Sequence, residues 1–168
     1  LWKSSWVRTV RITIRDSVMR IRIGLLVLFL FFSLSSNAWA DLKVVCSISD
    51  YCALAKEIGG DKVATRSLAL VGQDPHYVEP KPSFITQLYR ADLLISNGLE
   101  LEIGCLPTLV LQARNTKIQK GGDGRLIVAD HVRGFLDVPT SKVDRSQGDI
   151  HPGGNPHFYH DPLRMKAL

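Results

Sequence analysis

"LKVVCSISDYCALAKEIGGDKVATRSLAL", residues 42–70, decides the fold. "LKVVCSI" (42–48) is β-rich and continuous, as expected of a strand covered on both faces. "DYCALAKEIGG" (50–60) opens with Asp50, a residue of N-cap type, repeats apolar positions at helical spacing and stops at Gly59-Gly60. "KVATRSLAL" (62–70) returns to strand. Working outward, "VGQDPHYVEPKPS" (71–83) holds three prolines and a glycine and reads as a loop. "PSFITQLYRA" (82–91) starts with proline in its first turn and reads as a helix. "DLLISNG" (92–98) is a third strand, 103–114 a third helix despite Pro107, and "RLIVAD" (125–130) a fourth strand. Residues 131–156 show no periodicity, and Asp161 caps the start of a further helix. The order β-α-β-α-β-α-β predicts an α/β lobe: a four-stranded, mostly parallel sheet flanked by helices, with right-handed crossovers. Ligands of such sheets sit beyond the carboxyl ends of the strands.

Charge excludes one class of partner. The net charge is +5 over 168 residues. Before Asp41 stand six basic residues and one acid, so the leader carries the whole excess and the remainder is neutral. No basic stripe is left to follow a phosphate backbone, so no nucleic-acid partner is expected.

The leader explains itself. From Met19, residues 19–40 have basic Arg20 and Arg22, an apolar run from Ile23 to Phe32, and Ala38-Trp39-Ala40, a small-x-small cleavage pattern. That run is too short for the ~20 residues that span a bilayer. A signal peptide cleaved before Asp41 is expected, leaving no membrane insertion, with an uncleaved anchor as the alternative. Residues 1–18 precede the first methionine and are expected to be a mis-set start outside the fold. Cleavage would remove Trp2, Trp6 and Trp39, every tryptophan of the chain.

Export gives the cysteines a context. Cys46, Cys52 and Cys105 all follow the leader, and an oxidising compartment permits one disulfide. A local Cys46–Cys52 bridge is one arrangement, and three buried thiols is the other. The C-x5-C spacing does not make a zinc knuckle.

Histidines carry the chemistry. His76 lies on the loop leaving the second strand, and "HPGGNPHFYHDP" (151–162) after the fourth strand gathers His151, His157 and His160. Both loops reach the carboxyl edge of the sheet. Neutral imidazole ligates zinc and other divalent transition metals, and proline-bracketed loops hold a ligand with little entropy left to lose. Taken singly, each histidine reads as a loop residue; together at one edge they read as a metal site. Glu100 and Glu102 in "NGLELEIG" would share a face of an extended segment, but a solvated turn is the stronger reading. The sequence contains no HExxH, GxSxG, P-loop or GxGxxG, so no enzyme is expected.

The segments "IGGDKV", "QDPHYVEPKPS", "ADLLISNGLELEIGCLP" and "GNPHFYHDP", in this order after a signal peptide, resemble the metal-specific solute-binding proteins of bacterial ABC transporters. The resemblance runs from about Leu42 to Leu168. It implies two α/β lobes joined by a long helix with the metal between them, two histidines coming from the first lobe. His76 and His157 match those two ligands, and Glu79, Pro82 and Ser83 match positions that shape the first loop and helix. Three departures stand out. Cys105 replaces a tryptophan, the loop 141–154 is short and poor in histidine, and the chain stops where the linker helix would begin.

The resemblance therefore implies a metal-binding N-terminal lobe at 41–160, the start of a truncated linker helix at 161–168, and no second lobe. It implies a periplasmic, monomeric receptor that captures zinc, or else manganese or iron, for an inner-membrane ABC permease. Two rival readings are a non-functional remnant and a zinc hydrolase that uses His76, His157 and a carboxylate such as Glu79 with a bound water.

Overall fold

The computed structural model describes residues 19, 41–143, 146, 148 and 150–166. The signal peptide and residues 1–18 lie outside the described residues, Met19 apart. Four strands, β1 (Leu42–Cys46), β2 (Val63–Ser67), β3 (Leu93–Ser96) and β4 (Arg125–Ile127), form one sheet in the order β2-β1-β3-β4. Every pairing is parallel, with Leu42 opposite Val63, Val44 opposite Leu93 and Leu94 opposite Arg125. The expected α/β sheet is thus present, and parallel throughout.

Burial follows strand position. The central pair supplies Val44, Val45, Cys46, Leu94 and Ile95 to the core. Edge strand β2 alternates half-buried and exposed residues, because one of its faces and its outer edge meet solvent. Helix α1 (Ser49–Gly59) packs on β1 and β2, and α2 (Pro82–Tyr89) packs against α3 (Leu106–Ala113). A short α4 (Pro162–Met165) follows the histidine-rich segment.

Several boundaries differ from expectation. Strand β4, expected over 125–130, ends at Ile127, and a 3-10 turn (Val128–His131) follows it. Asp50 does not cap α1: Ile48 holds the N-cap position without a side-chain cap, and Asp50 lies in the first turn. There its negative charge still suits the helix N-terminus. Helix α3 begins at Leu106 rather than residue 103, because the chain after β3 makes a tight turn. Gly98, Leu99 and Glu100 all have positive φ (86°, 50° and 64°). Two consecutive non-glycine residues there are held against their steric preference. The restraint is Glu102, whose carboxylate accepts the backbone N–H of Asn97 (2.6 Å) and of Gly98 (3.3 Å). Glu102 is buried while Glu100 is exposed, so the segment is not a wholly solvated turn.

Cys46 and Cys52 form a disulfide with Cα atoms 5.6 Å apart, joining the end of β1 to the first turns of α1. Cys105 is a buried thiol at the N-cap of α3. Burial, then the charge of Glu102, pushes its pKa above the usual thiol range.

Candidate metal centre

Two sequence-distant turns are built the same way. In "DPH", the Asp74 carboxylate accepts the backbone N–H of His76 at 2.9 Å, and Pro75 opens a short 3-10 turn. In "NPH", the Asn155 side chain accepts the backbone N–H of His157 at 2.9 Å, and Pro156 opens the next 3-10 turn. The Asx side chain fixes the turn two residues on, and proline presets φ. Asp161 repeats the device with Leu163 at the start of α4. Each histidine therefore leaves a rigid local turn.

Asp74 does more. Its Oδ1 also lies 2.8 Å from Nδ1 of His76. These bonds, the backbone one first, hold the Asp74 carboxyl below the usual carboxylate range. A carboxylate can only accept, so in neutral His76 the proton sits on Nδ1 and Nε2 keeps the lone pair, the orientation that carboxylates give metal-binding imidazoles.

The rest of the site docks through a buried polar network. Asn97, fully buried at the end of β3, accepts from the Tyr51 hydroxyl at 2.5 Å. Its amide donates to the carbonyls of Pro156 (2.9 Å) and Gly98 (3.0 Å). The residue just before His157 is thereby tied to the sheet. Burial, reinforced by the charge of Glu102, keeps the Tyr51 phenol protonated far above its ordinary range. Phe158, also buried, packs on Phe135 at 5.2 Å between ring centroids. Gly154 lets the loop pass: its φ is +105°, and a Cβ there would lie 2.9 Å from the carbonyl oxygen of Leu136.

The resulting cleft, about 690 Å3, lies at the carboxyl edge of the sheet and is lined by His76, His151, His157 and His160 with Asp50, Asp74 and Tyr159 among its walls. The His76 and His157 rings are 5.2 Å apart between centroids. The two histidines singled out in the sequence are brought together from loops following the two outer strands. Burial, then His76 and His160 nearby, lowers the His157 pKa below its ordinary value, so the neutral imidazole persists to lower pH. His160 stacks on His157 at 6.3 Å with rings near parallel. His131 is exposed and does not line this cleft. Neither does Glu79, also exposed.

One contact had no motif to announce it. Nε2 of His151 lies 3.2 Å from Nε2 of His76, with ring centroids 5.2 Å apart. His151 belongs to the histidine-rich stretch, but only the course of the loop reveals its neighbour. Among the described residues, no three His, Cys, Asp or Glu side chains already stand as a complete metal cluster.

Both histidine turns lie beyond the carboxyl ends of parallel strands, where open α/β sheets bind their ligands. A profile of the family described as zinc-uptake complex component A, periplasmic (ZnuA), matches residues 44–168. The chain belongs to this family, which is one of transport components, not of enzymes.

FimA of Streptococcus parasanguinis, described as a metal ABC transporter substrate-binding lipoprotein, is 43% identical over 70 residues, covering 42% of this chain and 23% of that protein. The manganese ABC transporter substrate-binding lipoprotein PsaA of Streptococcus pneumoniae is 44% identical over 71 residues, with the same coverage of 42% and 23%. The match thus spans about a quarter of the length of these relatives. In fold, the chain is similar to a metal-free periplasmic metal binding protein from Candidatus Liberibacter asiaticus, with a TM-score of 0.54 and 23% identity over 74% of this chain and 41% of that one. It is likewise similar to Zn(II)-bound AdcA from Streptococcus pneumoniae, with a TM-score of 0.54 and 18% identity over 76% and 24%.

Proposed function

We propose that this chain is the N-terminal lobe, 41–160, of an extracytoplasmic metal receptor, in which His76 and His157 capture a divalent transition metal for an inner-membrane ABC permease. The observation that carries this reading is the pair of Asx-Pro-His turns whose rings meet at 5.2 Å. Capture needs no bond chemistry. The lobe supplies neutral nitrogens from pre-shaped turns, and a facing lobe, following a linker that begins near Asp161, supplies the remaining donors. Exposed Leu70 on the cleft wall gives such a lobe an apolar surface to cover. Imidazole donors favour zinc, whereas manganese prefers oxygen, so metal choice turns on what completes the site. The Cys46–Cys52 disulfide supports export, because such bonds persist in oxidising compartments such as the periplasm.

Zinc titration of the full chain by calorimetry tests the assignment. Four-ligand structural sites reach roughly 10–16 kcal/mol, so a half site should bind zinc at about micromolar affinity or weaker. His76→Ala and His157→Ala should each weaken it about tenfold or more, while His131→Ala changes nothing. Unchanged affinity in both of the first two variants refutes the site.

A further inference from the structure

We propose that His151 is an additional metal ligand, making with His76 a two-nitrogen clamp that His157 completes. This rests on the metal-receptor reading of the same cleft. Three observations lead to it.

The first is distance. Tetrahedral zinc at 2.0–2.1 Å from each nitrogen places neighbouring donor nitrogens roughly 3.3–3.4 Å apart. The Nε2 atoms of His76 and His151 are 3.2 Å apart. Only a small outward movement separates the pair from the edge of a zinc tetrahedron.

The second is protonation. Asp74 takes the Nδ1 proton of His76, so Nε2 of His76 is a lone pair facing His151. The contact is therefore a hydrogen bond donated by Nε2 of His151. A metal ion held between the rings would need the other tautomer of His151, with its proton moved from Nε2 to Nδ1, so that both Nε2 lone pairs are free and the ring stays neutral.

The third is restraint. The backbone N–H of Gly154 donates to the carbonyl of His151 at 3.1 Å, closing a turn over Pro152 and Gly153, and the N–H of Asn155 donates to Leu136 at 2.8 Å. His151 thus rides on the same fastened segment that presents His157, whose ring centroid stands 5.2 Å from that of His76, and a rotation of the His157 side chain would be needed to complete the site. A three-nitrogen site in this lobe would suit zinc and disfavour manganese.

The test is zinc calorimetry on the full chain and on His76→Ala, His151→Ala, His157→Ala and His160→Ala, with X-ray absorption of the zinc-loaded protein to count imidazoles. Far-ultraviolet circular dichroism checks that each variant is folded. The expectation is that His151→Ala weakens zinc binding about tenfold or more, that wild type shows three imidazoles and His151→Ala two, and that His160→Ala binds as wild type. If His76→Ala and His157→Ala weaken binding while His151→Ala does not, and wild type shows two imidazoles, the receptor reading survives and His151 is only a hydrogen-bond partner. If neither His76→Ala nor His157→Ala changes binding, both readings fall.

Discussion

Replacing Asn97 by alanine should loosen the histidine-rich loop and destabilise the sheet end together. The side chain is fully buried and makes three hydrogen bonds: one accepted from Tyr51, and two donated to Pro156 and Gly98. Alanine strands the Tyr51 hydroxyl, on a residue only 2% exposed, and the Pro156 carbonyl. A buried polar group left without a partner costs about 1–3 kcal/mol. Two such groups give about 2–6 kcal/mol, a large share of the ~5–15 kcal/mol that a domain of this size possesses. Urea unfolding followed by circular dichroism measures the loss. The sharper reading comes from the double-mutant cycle. Tyr51→Phe alone strands the Asn97 carbonyl oxygen and should cost about 1–2 kcal/mol. In the Asn97→Ala background the same change removes an orphaned donor, and should be neutral or stabilising by about 1 kcal/mol. Zinc affinity should fall with Asn97→Ala, because Pro156 is the residue that anchors His157. Costs that simply add, or an Asn97→Ala penalty below about 0.5 kcal/mol, would refute the network as the anchor of the loop.

Three further outcomes follow from the geometry. Reducing the Cys46–Cys52 disulfide, which closes a short loop of sequence separation 6, should lower stability by roughly 2 kcal/mol on chain-entropy grounds, read as a drop in urea midpoint with reductant. The Asp92 carboxyl is held below its ordinary pKa, first by Lys117 Nζ at 2.6 Å and then by the backbone N–H of Lys43. Its stabilisation is therefore full above the unfolded value of about 3.9 and lost as pH falls through the lower folded value, so Asp92→Asn should be less stable than wild type at pH 7 and converge with it in acid unfolding. Gly154→Ala meets the Leu136 carbonyl at 2.9 Å with φ at +105°, and should cost about 1–3 kcal/mol and weaken zinc binding, as calorimetry on the folded variant would show.

The sheet was legible because parallel strands announce themselves. Strands buried on both faces cannot alternate, so "LKVVC" and "LLIS" read as apolar runs, and glycine and proline punctuate what lies between. Strand ends were blurred for a physical reason: the ladder outlasts the regular strands, with Leu68 bonded to Cys46 and Ala69 to Ser47 beyond the end of β2. The start of α3 was misplaced because nothing in "NGLELE" signals left-handed backbone at Leu99 and Glu100, a conformation imposed by the Glu102 carboxylate. At the site, the prolines beside His76 and His157 flagged both turns. The Asx acceptors at Asp74 and Asn155 stand two residues before each histidine in "DPH" and "NPH", a repeated local code that the proline reading passed over. The His151 contact and the Asn97 anchor were not, since each depends on residues 75 and 59 positions apart meeting in space.

The placement of the histidines after the two outer strands has a mechanical consequence. His76 trails β2 and His151 trails β4, at opposite edges of the sheet order. A cation gripping both would work as a rivet, closing a loop of 75 residues across the whole width of the sheet. A covalent cross-link of that span restricts the unfolded chain by roughly 4 kcal/mol, and a coordinated ion acts on the same ensemble in proportion to its occupancy. Cargo held in this cleft would therefore brace the lobe that carries it, and its departure would relax both rims at once.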